Sequence, residues 1–244
     1  MVADDAVLEE LVQQAVEGGK SLSGKIFVDS STVHPDTVNN LSALLSKHQA
    51  SFLSAPVFGG PAIAIPGKLV VAIVGPKSAC GIVEPYIQDV IGKNSIVCGE
   101  DAQNASMLKI AGNIVTLNLM EAVGEAQVFA EQTGLETGPM EELITDAFGP
   151  VAGGYSQRMT SGTYAPPLNK RPEFGVSLSI KDATYALDIA AECKVKLPAL
   201  GIVDRNMKAA QEQHGECLDC SSIYGALRSE AGLSFWNEKS RQGN

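Results

Sequence analysis

Hydrophobic and polar positions along the chain fall into two textures. Up to about Gly99, helix-like and strand-like stretches alternate: residues 5–17 carry helical periodicity, 25–29 (Lys-Ile-Phe-Val-Asp) read as strand and 36–47 as helix. Residues 50–57 and 68–75 follow as strands, 79–90 as helix and 95–99 as strand. This is an α/β rhythm. Beyond Gly99 the strand signals vanish, and helical patterns run through 104–132, 140–147, 178–193 and 201–210. The interruptions Phe148-Gly149-Pro150-Val151-Ala152-Gly153-Gly154 and Tyr164-Ala165-Pro166-Pro167 read as loops between helices. Residues 25–57 have the length and order of a βαβ crossover, whose two strands are parallel and whose first strand ends beside the next helix's N-terminus.

A chain of 244 residues, 45% hydrophobic and 19% charged, can bury a substantial core as one large or two smaller domains. The formal net charge of −10, with no long run among the 18 basic residues, argues against a nucleic-acid surface. The longest apolar stretches, 69–75 and 110–117, are far too short to span a bilayer, and Met1-Val2-Ala3-Asp4-Asp5 lacks the basic start of a signal peptide. No membrane partner is expected, and a cytoplasmic address is the default. Five scattered cysteines, Cys80, Cys98, Cys193, Cys217 and Cys220, read as reduced thiols rather than a disulfide framework. His214, Cys217 and Cys220 stand at three-residue intervals, which suits metal ligands but equally an ordinary helix surface, and no further ligand is evident in sequence. No metal is expected.

Chemistry is best signalled within residues 104–116, where Lys109, Asn113 and Thr116 form an i, i+4, i+7 polar line on an otherwise apolar helix. Such spacing gathers an ammonium, a carboxamide and a hydroxyl on one strip, while Met107, Ile110, Ala111, Ile114 and Leu117 pack elsewhere. The strip suits a polar ligand; the same spacing also suits a lysine snorkelling to solvent. At the end of the first strand, Asp29-Ser30-Ser31-Thr32 precedes Pro35 and Asp36, so Ser31 or Thr32 is placed either to meet a ligand or to cap the next helix. Gly59 and Gly60, after Ala55-Pro56-Val57-Phe58, can present backbone N–H groups to an anion or serve a plain turn.

Together these motifs resemble the β-hydroxyacid dehydrogenase family: Asp29-Ser30-Ser31-Thr32 with Pro35, Ala55-Pro56-Val57-Phe58-Gly59-Gly60 with Gly67-Lys68-Leu69, Lys109 with Asn113, Glu121-Ala122, Gly134, and Lys181-Asp182. That family includes 3-hydroxyisobutyrate dehydrogenases, tartronate semialdehyde reductases and glyoxylate/succinic semialdehyde reductases, and is related to 6-phosphogluconate dehydrogenase. The resemblance runs from about residue 2 to about Leu227, with Asp219-Cys220-Ser221-Ser222-Ile223-Tyr224 similar to the family's last helix.

The resemblance implies a Rossmann-like NAD(P)-binding domain, here the C-terminal portion of one, over residues 1–100, and a helical substrate and dimerisation domain over 101–244. It implies NAD or NADP as cofactor, a small carboxylate substrate, and a homo-oligomer formed through the helical domain. Residue by residue, Lys109 matches the catalytic lysine that exchanges a proton with the substrate hydroxyl or carbonyl during hydride transfer. Asn113 matches the amide that orients the substrate, and Gly59 and Gly60 the backbone holding its carboxylate. Ser31 and Thr32 match the segment lining the nicotinamide end, with Ser31 on the substrate side, and Lys181 matches a lysine reaching the cofactor. Two departures stand out. Phe58 replaces the serine usual before the glycine pair, and the strand, G-x-G-x-x-G turn and helix that begin such domains are not found before Asp29. The sequence-based expectation is therefore a truncated doubly wound domain with a bared strand near Val28. The alternative is a catalytically impaired binding or dimerisation protein derived from the family.

Overall fold

The computed structural model describes residues 1–242. The chain divides into two compact units, Met1–Gly112 and Asn113–Asn244.

In the first unit, α1 (Asp5–Glu17) starts where the Asp4 carboxylate accepts a hydrogen bond from the Val7 N–H at 3.0 Å. Strand β1 (Ile26–Asp29) leads into α2 (Pro35–Lys47). Neither Ser31 nor Thr32 caps this helix: His34 does, its Nδ1 accepting from the Asp36 N–H, because Pro35 fits the first helical position and leaves the cap to the residue before it. Strand β2 (Ser51–Ser54) then pairs parallel with β1 from Ile26↔Ser51 to Asp29↔Ser54, completing the expected crossover.

The single strand expected over 50–57 is two. Pro56 has no N–H to continue a ladder, and the chain turns so that β3 (Val57–Phe58) pairs antiparallel with β4 (Leu69–Ile73). Between β3 and β4 lies α3 (Pro61–Ala64), a single turn. A lone antiparallel bridge, Ser54↔Val74, ties β2 to the end of β4. Helix α4 (Lys77–Ile87) and β5 (Gly92–Val97) complete the unit, β5 running parallel to β4. The helix expected to reach residue 90 stops at Ile87.

Strand alternation builds two layers. Phe52 joins the cluster of Leu8, Val12, Val38, Leu41 and Leu45 from α1 and α2, whereas its neighbour Leu53 joins Leu69, Val71, Ile73, Ala79 and Ile87 on the α4 side. The even positions Ala72 and Val74 instead meet Ala105.

Helix α5 (Gln103–Thr133) begins in the first unit, where the Ser106 hydroxyl donates to the Val33 carbonyl, and continues into the second. No strand among the described residues follows β5. Helix α6 (Thr137–Thr160) runs through the segment expected to be a loop at 148–154. Its path breaks at Gly149, at φ 86° and ψ 175°, and resumes directly because Pro150 suits a first helical position. Helices α7 (Val176–Glu192), α8 (Pro198–His214) and α9 (Ile223–Glu230) complete the unit. Their core gathers Leu117, Met120, Met159, Ala183, Leu200, Met207 and Tyr224, all at most 1% exposed. Gly124 allows close approach, since a Cβ there would stand 3.0 Å from Leu227 of α9.

Candidate functional site

Helix α5 carries Lys109, Asn113 and Thr116 on one strip, as their spacing dictates, and each meets a partner that spacing alone does not reveal. Lys109 is half-buried, with Nζ 4.6 Å from the centroid of the Phe58 ring. That ring packs with Leu108 against Ala72, Val74 and Ala105. Of the residues expected to pack away from the strip, Ile110 and Leu117 are buried, whereas Met107 and Ala111 are exposed.

In the second unit Asn113 is buried, and its Nδ2 donates to Asp182 Oδ2 at 2.7 Å. The other oxygen of Asp182 stands 3.3 Å from Lys181 Nζ, and that ammonium lies 5.2 Å from the Tyr185 ring centroid. One buried carboxylate thus organises both an amide and an ammonium. Held as an acceptor, it fixes the Asn113 carboxamide with its donor end turned to Asp182. Thr116 faces Tyr155, whose hydroxyl pKa is raised chiefly by burial, with Thr116 among the groups that oppose the rise. Tyr155 and the pairing role of Asp182 escaped sequence reasoning, because a tertiary contact such as the one 69 residues apart leaves no periodic signature. Tyr185, four residues after Lys181 on α7, could have been found from its i, i+4 spacing.

At the end of β1, Ser31 is buried, its hydroxyl donating to Asp29 Oδ1 at 2.6 Å and accepting from the Val2 N–H at 2.7 Å. Asp29 Oδ2 is buried with no hydrogen-bond partner among the described residues. Thr32, next along the chain, is half-buried. Gly59 and Gly60 are exposed, and Gly59 sits at φ 126°, where a Cβ would come within 2.9 Å of both Ile63 and Leu69. That backbone therefore requires glycine.

The Cys/His segment reads differently. Cys217 is exposed, Cys220 is buried, and the His214 ring lies 3.9 Å from that of Phe235. Among the described residues no three His, Cys, Asp or Glu side chains stand together to hold a metal ion, and no helix is long and apolar enough to cross a membrane.

Comparison with known proteins gives these residues a context. The model of the NAD-binding region of NADP-dependent 3-hydroxyisobutyrate dehydrogenase matches residues 104–227, and that of the NAD-binding domain of 6-phosphogluconate dehydrogenase matches residues 1–99. The chain is thus dehydrogenase-like by class, with NAD or NADP as its cofactor. It is 30% identical over 233 residues to the NADH-dependent oxidoreductase ucdB of Aspergillus ustus, covering 95% of this chain and 77% of that protein. It is 27% identical over 232 residues to the 2-hydroxy-3-oxopropionate reductase of Escherichia coli, covering 93% and 76%. In fold it is similar to the crystal structure of 3-hydroxyisobutyrate dehydrogenase (ygbJ) from Salmonella typhimurium, with a TM-score of 0.81 at 22% identity over 91% of this chain and 76% of that one. The chain belongs to the β-hydroxyacid dehydrogenase family.

Proposed function

We propose that this chain is an NAD(P)-dependent oxidoreductase of the 3-hydroxyisobutyrate dehydrogenase type, acting between a small 3-hydroxy acid and its semialdehyde. The observation that carries the reading is the α5 strip, where Lys109 and Asn113 stand one turn apart, with Asn113 fixed by the buried Asp182 carboxylate. A nicotinamide, when bound, supplies or accepts the hydride. Lys109 donates a proton to the substrate oxygen in reduction and takes it back in oxidation, its ammonium stabilising the developing alkoxide. Asn113 orients the substrate, the Gly59 and Gly60 backbone receives its carboxylate, and Ser31 is assigned to the substrate side.

The donor set suits a nicotinamide nucleotide. Thr32 offers a hydroxyl, Lys181 an ammonium, and Asp29 Oδ2, buried with no hydrogen-bond partner among the described residues, an acceptor. In this reading residues 1–100 hold the cofactor in a cytoplasmic enzyme, and residues 101–244 serve the substrate and self-association. A second copy in this reading would cover apolar side chains that are exposed in the helical part, among them Val115, Phe129 and Phe148.

The test is Lys109→Ala, followed by nicotinamide absorbance with a panel of 3-hydroxy acids and semialdehydes. Turnover should fall roughly 10²- to 10⁴-fold with the helical circular dichroism retained. Turnover equal to wild type would overturn the assignment. A wild-type protein that binds cofactor yet turns over no member of the panel would favour a binding role.

A further inference from the structure

The residue beneath the lysine has its own task. Phe58 ends β3, and its ring occupies space that exists because residue 112 is glycine: a Cβ there would stand 2.9 Å from Phe58 Cζ and closer still to Cε1. The same ring lies under Lys109 Nζ, 4.6 Å from ammonium to centroid. Phe58, Lys109 and Gly112 therefore form one packed unit, and the last two are three apart on one helix face. From this arrangement we infer that Phe58 is a positioning residue, its ring face seating the Lys109 ammonium, with Gly112 as the vacancy that admits the ring. The inference rests on the reading of Lys109 as the proton-exchanging group.

Physically, an aromatic face attracts a cation through its quadrupole, and the attraction is directional. A ring on one side of Nζ also excludes water there and leaves the ammonium's N–H bonds to point away from it, toward whatever oxygen they serve. A leucine of comparable bulk fills the space without the quadrupole. A tyrosine restores both ring and face. Gly112→Ala acts from the other side: the clash falls on the far end of a side chain, so the ring is displaced rather than the helix broken.

The test uses the full chain labelled with 13Cε-lysine, the Lys109 signal being assigned by its disappearance in Lys109→Arg. In wild type the ring current should move the Lys109 ε-protons upfield of the other lysines. Phe58→Leu and Gly112→Ala should each abolish that displacement, whereas Phe58→Tyr should keep it. In turnover, Phe58→Leu should lower kcat by about 2- to 5-fold, the worth of an exposed cation–π contact, and Phe58→Tyr should recover it. Because Gly112→Ala acts only by moving the ring, adding it to Phe58→Leu should cost far less than it does in wild type. A Lys109 signal at the position of the other lysines in wild type, or one unmoved by Phe58→Leu, overturns the inference. Failure of the underlying reading looks different: Lys109→Ala would keep full turnover while the spectra behaved as expected.

Discussion

Glu121 offers a sharp test of how burial governs this helical unit. It lies on α5, 6% exposed, with Oε1 accepting a hydrogen bond from Asn206 Nδ2 at 2.6 Å and Oε2 buried without a partner among the described residues. Burial is the largest influence on its carboxyl and raises the pKa from 4.5 to about 7; the Asn206 bond opposes, Glu125 and Glu230 raise it further, and Arg205 lowers it. A folded pKa above the unfolded one means that the folded state binds the proton more tightly. The stabilisation is therefore fully present below about pH 4.5 and is lost as the pH rises through about 7. At 1.36 kcal/mol per unit the whole loss is at most about 3 kcal/mol, of which about 2 falls between about pH 5 and pH 8. Glu121→Gln keeps the oxygen that accepts from Asn206 and removes the titration. Urea unfolding of both proteins, followed by the fluorescence of Trp236, the single tryptophan and one that lies in the same unit, should show the variant gaining on wild type by about 2 kcal/mol across that interval. Parallel stability profiles would refute the reasoning, because they would mean that Glu121 titrates alike folded and unfolded.

Further outcomes follow from particular contacts. Asp182→Asn cannot hold Asn113 and Lys181 together with a carboxylate, so kcat/KM should fall by as much as about 100-fold with little change in thermal midpoint; unaltered steady-state kinetics would make Asp182 a packing residue only. Tyr164, fully buried, donates to the Phe235 carbonyl at 2.7 Å and accepts from the Asn237 N–H at 2.8 Å, so Tyr164→Phe strands two backbone groups and should cost about 1–3 kcal/mol in denaturant titration. Gly162 stands at φ 80° with the Lys239 carbonyl oxygen 2.6 Å from where a Cβ would be, so Gly162→Ala should loosen the segment around residues 237–241 and expose it to proteolysis; an unchanged digestion pattern would count against that strain.

Much of the architecture is legible from local pattern. Helix α1 has the bounds its periodicity implies, and the crossover from β1 through α2 to β2 forms with parallel strands because the order and length of residues 25–57 leave few other options. The failures have local causes. At residues 50–57, apolar character continued through Pro56 while the ladder could not, so one expected strand became two with opposite pairing. At 148–154, glycines and a proline that usually mark a loop mark only a break at Gly149, because Pro150 starts a helix as readily as it ends one. The cap of α2 passed to His34, a residue seldom favoured there, once Pro35 took the first helical position.

The site was legible to a different depth. Spacing places Lys109, Asn113 and Thr116 on one strip, but what each side chain does is decided by what faces it, and those partners come from elsewhere in the chain: Phe58 from β3, Asp182 from α7, Tyr155 from α6. Phe58 shows why this matters. In sequence it appears as the loss of a hydroxyl before a glycine pair, a subtraction. In the structure its ring fills the space that Gly112 leaves and lies 4.6 Å from the Lys109 ammonium, so the position holds a packed ring and not merely a missing hydroxyl. A departure from a family motif is thus to be judged together with the residue that makes room for it, and for Phe58 that residue lies 54 positions away, on the helix that carries the lysine.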